Sequence, residues 1–117
     1  MAEKQILTTL SKDDFVKQLQ ENKGALIIKF GAEWCVPCKK IEGLVKGLMG
    51  QLPDTVTCAI IDVDENFEIY AMFKSKKMIN GIPAIFAFKQ GNITVVPDDV
   101  VVGADESQIN LFFQKYM

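Results

Sequence analysis

The stretch Trp34-Cys35-Val36-Pro37-Cys38-Lys39 places two cysteines three residues apart, between two segments of different hydrophobic pattern. Residues 25–31, just before it, are β-branched at their centre and apolar on both alternating faces, as in a central strand covered by helices. After it, apolar residues recur at helical spacing as far as residue 49. The pattern predicts a strand that passes into a helix over about residues 35–50, with the cysteines at the junction.

This junction is a favourable place for a thiolate. The first turn of a helix has unpaired N–H groups and the positive end of the helix dipole, and both stabilise an anion. Lys39 and Lys40 add positive charge nearby. Because the thiolate rather than the thiol is the nucleophile, we expect Cys35 to react near neutral pH. We also expect Cys35 to be exposed and Cys38, on the next turn, to be covered.

The spacing of the two cysteines permits a disulfide. A disulfide needs Cα atoms about 4.4–6.8 Å apart, and residues three apart on a helical turn lie at about that distance. Pro37 stiffens the turn and lacks an N–H that the first turn would leave unpaired. Cys35 and Cys38 can therefore interconvert between dithiol and disulfide with little backbone motion.

A Cys-x-x-Cys sequence has two other interpretations. Half of a zinc site would require further ligands, but the chain has no histidine and its only other thiol is Cys58. Two unrelated structural cysteines would not account for their position at a strand-to-helix junction with a proline between them. Redox chemistry is favoured, and it needs neither a metal nor a bound cofactor.

The composition is that of an ordinary globular domain. The 117 residues fit one domain, 1–117, with 49% hydrophobic and 24% charged residues. A net charge of −2 gives no basic excess, so neither nucleic acid nor an anionic membrane is a favoured partner. Neither a signal segment nor a membrane span is recognisable. We expect a cytoplasmic monomer, and in that reducing compartment a dithiol is more readily catalytic than structural.

The remaining elements predict an α/β fold. Ser11 and Asp14 stand at the spacing of a helix N-cap and its third residue, and Asp105 stands at the start of a last helix. The order β-α-β-α-β-α-β-β-α implies a mixed five-stranded sheet flanked by four helices. The predicted strands cover about residues 6–9, 25–31, 56–61 and 84–88, and a ribbon at 93–96 that resumes at 100–102.

With these elements in this order, the chain resembles the thioredoxin family along nearly its whole length. Residues 32–39 match the family's active-site segment, except that Val36 replaces its usual glycine. Gly-Ile-Pro-Ala at residues 81–84 resembles the family's Gly-Ile-Pro-Thr, whose proline is cis and faces the dithiol. Residues 88–91 match its hairpin turn, and residues 102–104 match the loop before its last helix. The resemblance implies a thioredoxin fold.

The resemblance also implies a function, that of a protein thiol–disulfide oxidoreductase that reduces disulfides in target proteins. Cys35 would be the attacking thiol and Cys38 the resolving one. A thioredoxin reductase dependent on NADPH, or a small thiol, would regenerate the dithiol. The target would bind to residues around the cysteines, namely Trp34, Val36, Pro37, Ile82, Pro83 and Gly103. For Ile82 and Gly103, simple packing and a turn are the alternative.

The sequence departs from the family pattern at four positions. Lys29 stands where the family has a buried acid, and Cys58 aligns with the lysine that accompanies that acid on the neighbouring strand. Gly43 replaces a helix-kinking proline, and Gly31 replaces a tryptophan. A buried ammonium is costly unless it is paired, neutralised or able to reach water.

The lysines near the cysteines are candidates for tuning the pKa values of the thiols. Lys29, charged, would favour the thiolates, and when neutral it could accept a proton from Cys38. Lys39 would act from the surface. The alternative for Lys29 is that its stem packs in the core while its ammonium reaches water.

Other functions remain open at this point. A binding module could use the thioredoxin fold with an incidental dithiol, and the missing acid favours this. An oxidase or isomerase would be expected in an oxidising compartment, for which no signal segment is recognised. Cys58 is expected to be a buried strand residue, with a regulatory or dimer-forming thiol as the alternative.

Overall fold

The computed structural model describes residues 4–117, which form a mixed sheet covered by helices on both faces. Its strands are β1 (Ile6–Leu7), β2 (Ala25–Gly31), β3 (Val56–Asp62), β4 (Ala84–Lys89) and β5 (Asp99–Val102). In the sheet they follow the order β1-β3-β2-β4-β5. Strands β1 and β2 run parallel to β3, whereas β4 runs antiparallel to β2 and β5. This confirms the predicted five-stranded mixed sheet and places the strand before the cysteines at its centre.

The helices agree with the predicted positions except at one break. Ser11 forms a capping box with Asp14, and Asp105 accepts a hydrogen bond from the N–H of Gln108. In the described residues no helix is both long and apolar enough to cross a membrane. The helices are α1 (Lys12–Gln20), α2 (Val36–Lys40), α3 (Glu42–Gly50), α4 (Phe67–Ser75) and α5 (Glu106–Gln114).

The break divides the helix expected over residues 35–50. Ile41 has φ −104° and ψ 3°, outside helical geometry, so the described chain has five helices rather than four. Ile41 is completely buried, and Gly43, two residues later, has low helix propensity. Packing of Ile41 can therefore outweigh the weak preference for a continuous helix.

Two hydrophobic cores lie on opposite faces of the sheet. Helices α1 and α4 cover one face, where Phe73 packs edge-on against Phe15, Phe30 and Phe86. Helices α3 and α5 cover the other face. All seven residues of β2 are buried because both of its faces are covered, which explains why this strand reads as a continuous apolar run. Lys29 is the one charged residue of β2.

The ribbon predicted at residues 93–96 does not form. Strand β5 begins only at Asp99, because polar side chains close the preceding loop. The Asp98 carboxylate accepts hydrogen bonds from the N–H of Lys89 (2.7 Å) and from the side chain of Asn92 (2.9 Å). These bonds hold the loop out of the strand ladder, and Ile93 is left 70% exposed.

We expect Phe73→Ala to lower the free energy of unfolding by about 3–5 kcal/mol, since it removes a buried ring and leaves a cavity. Phe67→Ala on the same helix is the matched control, because Phe67 is 67% exposed and its loss should cost no more than about 0.5 kcal/mol. Urea unfolding followed by circular dichroism measures both. Equal losses in the two variants would contradict the assignment of the core.

Candidate active site

The two cysteines form a disulfide at the point where β2 passes into α2. Their Cα atoms are 5.2 Å apart. Cys35 is the N-cap of α2 in an extended conformation, and its sulfur accepts a hydrogen bond from the N–H of Cys38 at 3.2 Å. Pro37 lies in the first turn, where its missing N–H leaves no bond unmade. The first turn of the helix is therefore directed at the sulfur of Cys35.

The expected difference in exposure between the cysteines is only partly present. Cys38 is covered, at 2% exposed, as predicted. Cys35 is also buried, at 5%, so the prediction of an exposed Cys35 is wrong for the disulfide form. Its sulfur faces the N–H of Cys38 and lies 3.9 Å from the carbonyl oxygen of Ile82, rather than facing water. The neighbouring side chains of Trp34 and Val36 are exposed instead.

A second segment reaches the disulfide from the start of β4. The Ile82–Pro83 peptide bond is cis, as predicted, and lies beside Cys35. The carbonyl of Pro83 accepts a hydrogen bond from the N–H of Gly103 at 2.9 Å. Gly103 has φ +96°, a left-handed conformation that glycine adopts without strain. The structure thus brings Ile82, Pro83 and Gly103 together near the cysteines, with Pro83 buried and the other two half-buried.

The ring of Trp34 is held at the surface by a residue that sequence reasoning did not select. Its indole N–H donates to the carboxylate of Asp64 at 2.8 Å. Asp64 belongs to a tight turn in which Asp62 accepts hydrogen bonds from the N–H groups of Asp64 and Glu65. The acidic turn is evident in the sequence, but its contact with Trp34 depends on the pairing of β2 with β3.

Lys29 lies behind Cys38, in the core. Its residue exposure is 3%, and its ammonium Nζ is 3.4 Å from the carbonyl oxygen of Cys38. A Cβ atom added at Gly31 would lie 3.4 Å from the sulfur of Cys38 and 3.8 Å from Cε of Lys29, so these three residues meet. Burial lowers the pKa of Lys29, and the nearby carboxylate of Glu42 partly opposes this. The alternative, in which the ammonium simply reaches water at the surface, does not fit a residue that is only 3% exposed.

Lys39 has a different environment from Lys29. It is exposed, and its ammonium forms an ion pair with Glu33 at 2.9 Å. The hydrogen bond to Glu33 raises the pKa of Lys39. Because water screens an exposed pair, the influence of Lys39 on the disulfide is expected to be small.

The strand register corrects the position assigned to Cys58. On β3, Ile60 lies opposite Lys29, whereas Cys58 lies opposite Ile27. The residue beside Lys29 on the neighbouring strand is therefore Ile60, and the alignment that placed Cys58 there is wrong by two positions. Cys58 is a free thiol in the core, as predicted, and burial raises its pKa to about 11.

Comparison with known proteins identifies the same architecture elsewhere. The family model described as thioredoxin matches residues 6–115. Thioredoxin from Rhodospirillum rubrum is 33% identical over 84 residues, which cover 72% of this chain and 77% of that protein. Mitochondrial thioredoxin from Mus musculus is 24% identical over 102 residues, covering 87% of this chain but only 57% of that protein.

A solved structure resembles the whole fold. The X-ray structure of Fasciola hepatica thioredoxin has a TM-score of 0.76 and 28% sequence identity. The alignment covers 95% of this chain and 100% of that one.

The environment of Cys58 predicts that its thiol is inert in the native protein. At pH 8 a thiol with a pKa of about 11 is almost entirely protonated, and no reagent reaches it in the core. We expect iodoacetamide to leave Cys58 unlabelled in the folded disulfide form and to label it fully in urea, as read by peptide mass spectrometry. Rapid labelling of the folded protein, or an oxidant-induced dimer lost in Cys58→Ala, would support a regulatory thiol instead.

Proposed function

The chain belongs to the thioredoxin family, and from this premise we propose that it reduces disulfide bonds in target proteins. It is a thiol–disulfide oxidoreductase, with Cys35 and Cys38 as its Cys-x-x-Cys pair. The observation that carries the proposal is the position of this pair, at the N-terminus of α2 and beside Ile82 and Pro83.

The reaction consists of two exchange steps at sulfur. The Cys35 thiolate attacks one sulfur of the target disulfide, and the other target sulfur leaves as a thiolate that takes up a proton. Cys38 then loses its proton and attacks the sulfur of Cys35 in the mixed disulfide, which releases the second target thiolate, and this thiolate also takes up a proton. The target gains two electrons and two protons, and the protein is left with the Cys35–Cys38 disulfide. The N–H of Cys38, 3.2 Å from the sulfur of Cys35, stabilises the attacking thiolate.

The surface around the disulfide is suited to an extended peptide. Exposed apolar side chains are grouped next to the cysteines, where they offer contact area to the residues that flank a target disulfide. Half-buried Ile82 and Gly103 lie beside this surface and would approach the target with backbone atoms. We assign target binding to Trp34, Val36, Pro37, Ile82, Pro83 and Gly103.

Lys29 takes the place of an acid behind the resolving cysteine. In its charged form the ammonium favours thiolates in the pair, because it lies in the core where water screens it little. In its neutral form it is a base within the same group of residues as the sulfur of Cys38. We therefore propose that Lys29 tunes the pKa values of the two thiols, while Lys39 contributes weakly from the surface.

The oxidised protein has to be reduced again after each turnover. We propose a thioredoxin reductase dependent on NADPH as the partner, and a monomeric cytoplasmic protein whose 117 residues form one thioredoxin-like domain. The other candidate function, a binding module with an incidental dithiol, is favoured only by the lysine at position 29.

Turnover separates the two candidate functions. With insulin as substrate and either dithiothreitol or NADPH plus a thioredoxin reductase as reductant, the wild-type protein should accelerate insulin precipitation. Cys35→Ser should lower the rate by at least about 100-fold, because the substitution removes the thiol that attacks the target. Cys38→Ser should instead accumulate mixed disulfides through Cys35, which non-reducing electrophoresis detects.

Cys58→Ala is the matched control for these variants, since it removes the remaining cysteine from outside the pair. It should retain the wild-type rate. A wild-type protein without turnover in either system, or a Cys38→Ser protein that traps targets through another residue, would contradict the proposed reaction.

The charge on Lys29 predicts a specific effect on reactivity. Lys29→Met removes an ammonium that favours thiolate, so alkylation of the reduced pair at pH 7 should slow by roughly three- to tenfold. The pKa of Lys29 is lowered by burial, so the difference should vanish as the pH rises through that value and the wild-type ammonium loses its charge. Lys40→Met, on the exposed face of α2, should leave the profile unchanged. Identical profiles for all three proteins would show that Lys29 has no part in the chemistry.

A further inference from the structure

A cavity of about 380 Å³ lies behind the disulfide, on the side away from Ile82 and Pro83. It is lined by residues of β2, β3, α2 and α3, by Ile6 of β1 and by Thr8 after it, but by none from β4. Cys38 and Lys29 both line it, whereas Cys35 does not. Its volume lies within the range of small-molecule sites, large enough for a ligand of dipeptide size.

Lys29 brings a charge to this cavity that its neighbours compensate only in part. Among residues 4–117 no carboxylate oxygen lies within 4.0 Å of its ammonium, and its one hydrogen bond is the 3.4 Å contact with the carbonyl of Cys38. Its neighbours on the two adjacent strands are Ile60 and Ile85, which offer no acceptor side chain. A buried ammonium needs an anion or further acceptors to offset its desolvation, and here Glu42 acts from beyond 4.0 Å and supplies only part of that compensation.

The other two lysines of the cavity are already compensated. Lys39 pairs with Glu33 at 2.9 Å, and Lys46 pairs with Glu42 at 3.4 Å. These pairs lie at the exposed mouth, and Asp62 at the end of β3 and Glu65 in the turn after it add two carboxylates to the lining. The acidic mouth disfavours ligands with several negative charges, and it tolerates a single carboxylate or a zwitterion.

We propose that this cavity is a binding site for a small carboxylic acid, whose carboxylate pairs with Lys29 behind Cys38. The ligand class follows from a single buried cation, an aliphatic wall at Ile60 and a mouth that is acidic overall. The site is distinct from the target-binding surface, because none of the residues assigned to target binding lines the cavity.

Occupancy of the site is coupled to the redox state of the cysteines; this part rests on the proposed function. In the reduced protein the ammonium of Lys29 can stabilise a thiolate of the pair, whereas in the disulfide form both sulfurs are neutral. A bound carboxylate competes with the thiolate for this ammonium, so it binds the disulfide form more tightly. By linkage, the ligand shifts the equilibrium toward the disulfide and makes the protein a stronger reductant.

A matched pair of probes tests the binding. N-acetylglycine carries one carboxylate, and N-acetylglycinamide has nearly the same shape without the charge. In ¹H–¹⁵N spectra of the oxidised protein, N-acetylglycine should cause saturable shifts of the amides of Gly31, Ile60 and Ile61, whereas the amide and equimolar sodium chloride should not. Lys29→Met should abolish the shifts, and Lys29→Arg should restore binding at least in part.

Several results would overturn the site. They are the absence of saturable shifts in the wild type, equal shifts with the neutral amide, or shifts by the carboxylate that persist in Lys29→Met. The comparison of the two probes on the wild type decides even if Lys29→Met does not fold. These spectra need no catalysis, so a failure of insulin reduction leaves this test intact.

The coupling is measured separately in a dithiothreitol redox buffer, which carries no carboxylate of its own. Saturating N-acetylglycine should shift the ratio of disulfide to dithiol by roughly three- to tenfold toward the disulfide, and N-acetylglycinamide should not. An unchanged ratio, in a protein whose spectra show binding, would contradict the competition between ligand and thiolate.

Discussion

The N–H of Cys38 points at the sulfur of Cys35, and the geometry of the active site depends on this contact. It exists because β2 ends, and α2 begins, within the four residues between Gly31 and Val36. Strand β2 is held at that point by pairing with β3 on one side and β4 on the other. The position of the helix N-terminus is therefore set by the centre of the sheet.

The same strand pairing brings distant segments of the chain into contact with the segment that contains the disulfide. Strand β4 begins at Ala84, directly after Pro83, so its antiparallel pairing with β2 brings Ile82 beside Cys35. Strand β3 ends at Asp62, and the turn that follows holds Trp34 through Asp64. The reactive pair thus lies where β2 and β3 end and β4 begins. The contacts that support it come from segments far apart in the chain.

This arrangement explains which features could be predicted from the sequence. The junction at Cys35, the cap at Ser11 and the buried strand at residues 25–31 follow from local patterns, and the structure has all three. The break at Ile41 could not be predicted, because it depends on how that side chain packs in the core. The contact between Trp34 and Asp64, like the partner of Lys29 on β3, requires the strand register.

Two further differences between the predicted and the observed structure also arise from contacts that local sequence patterns do not show. The loop before Asp99 is closed by a side chain, that of Asp98, which competes with a strand that local propensity favours. The burial of Cys35 depends on the approach of Ile82, which the residues next to the cysteines do not indicate.

The central claim is that the first turn of α2 stabilises a thiolate at Cys35. Thiolate absorbance at 240 nm, measured against pH in a Cys38→Ala, Cys58→Ala double variant, tests it directly: the account predicts a midpoint well below about pH 8.5, the ordinary value for a cysteine thiol, and a midpoint at or above that value would contradict it.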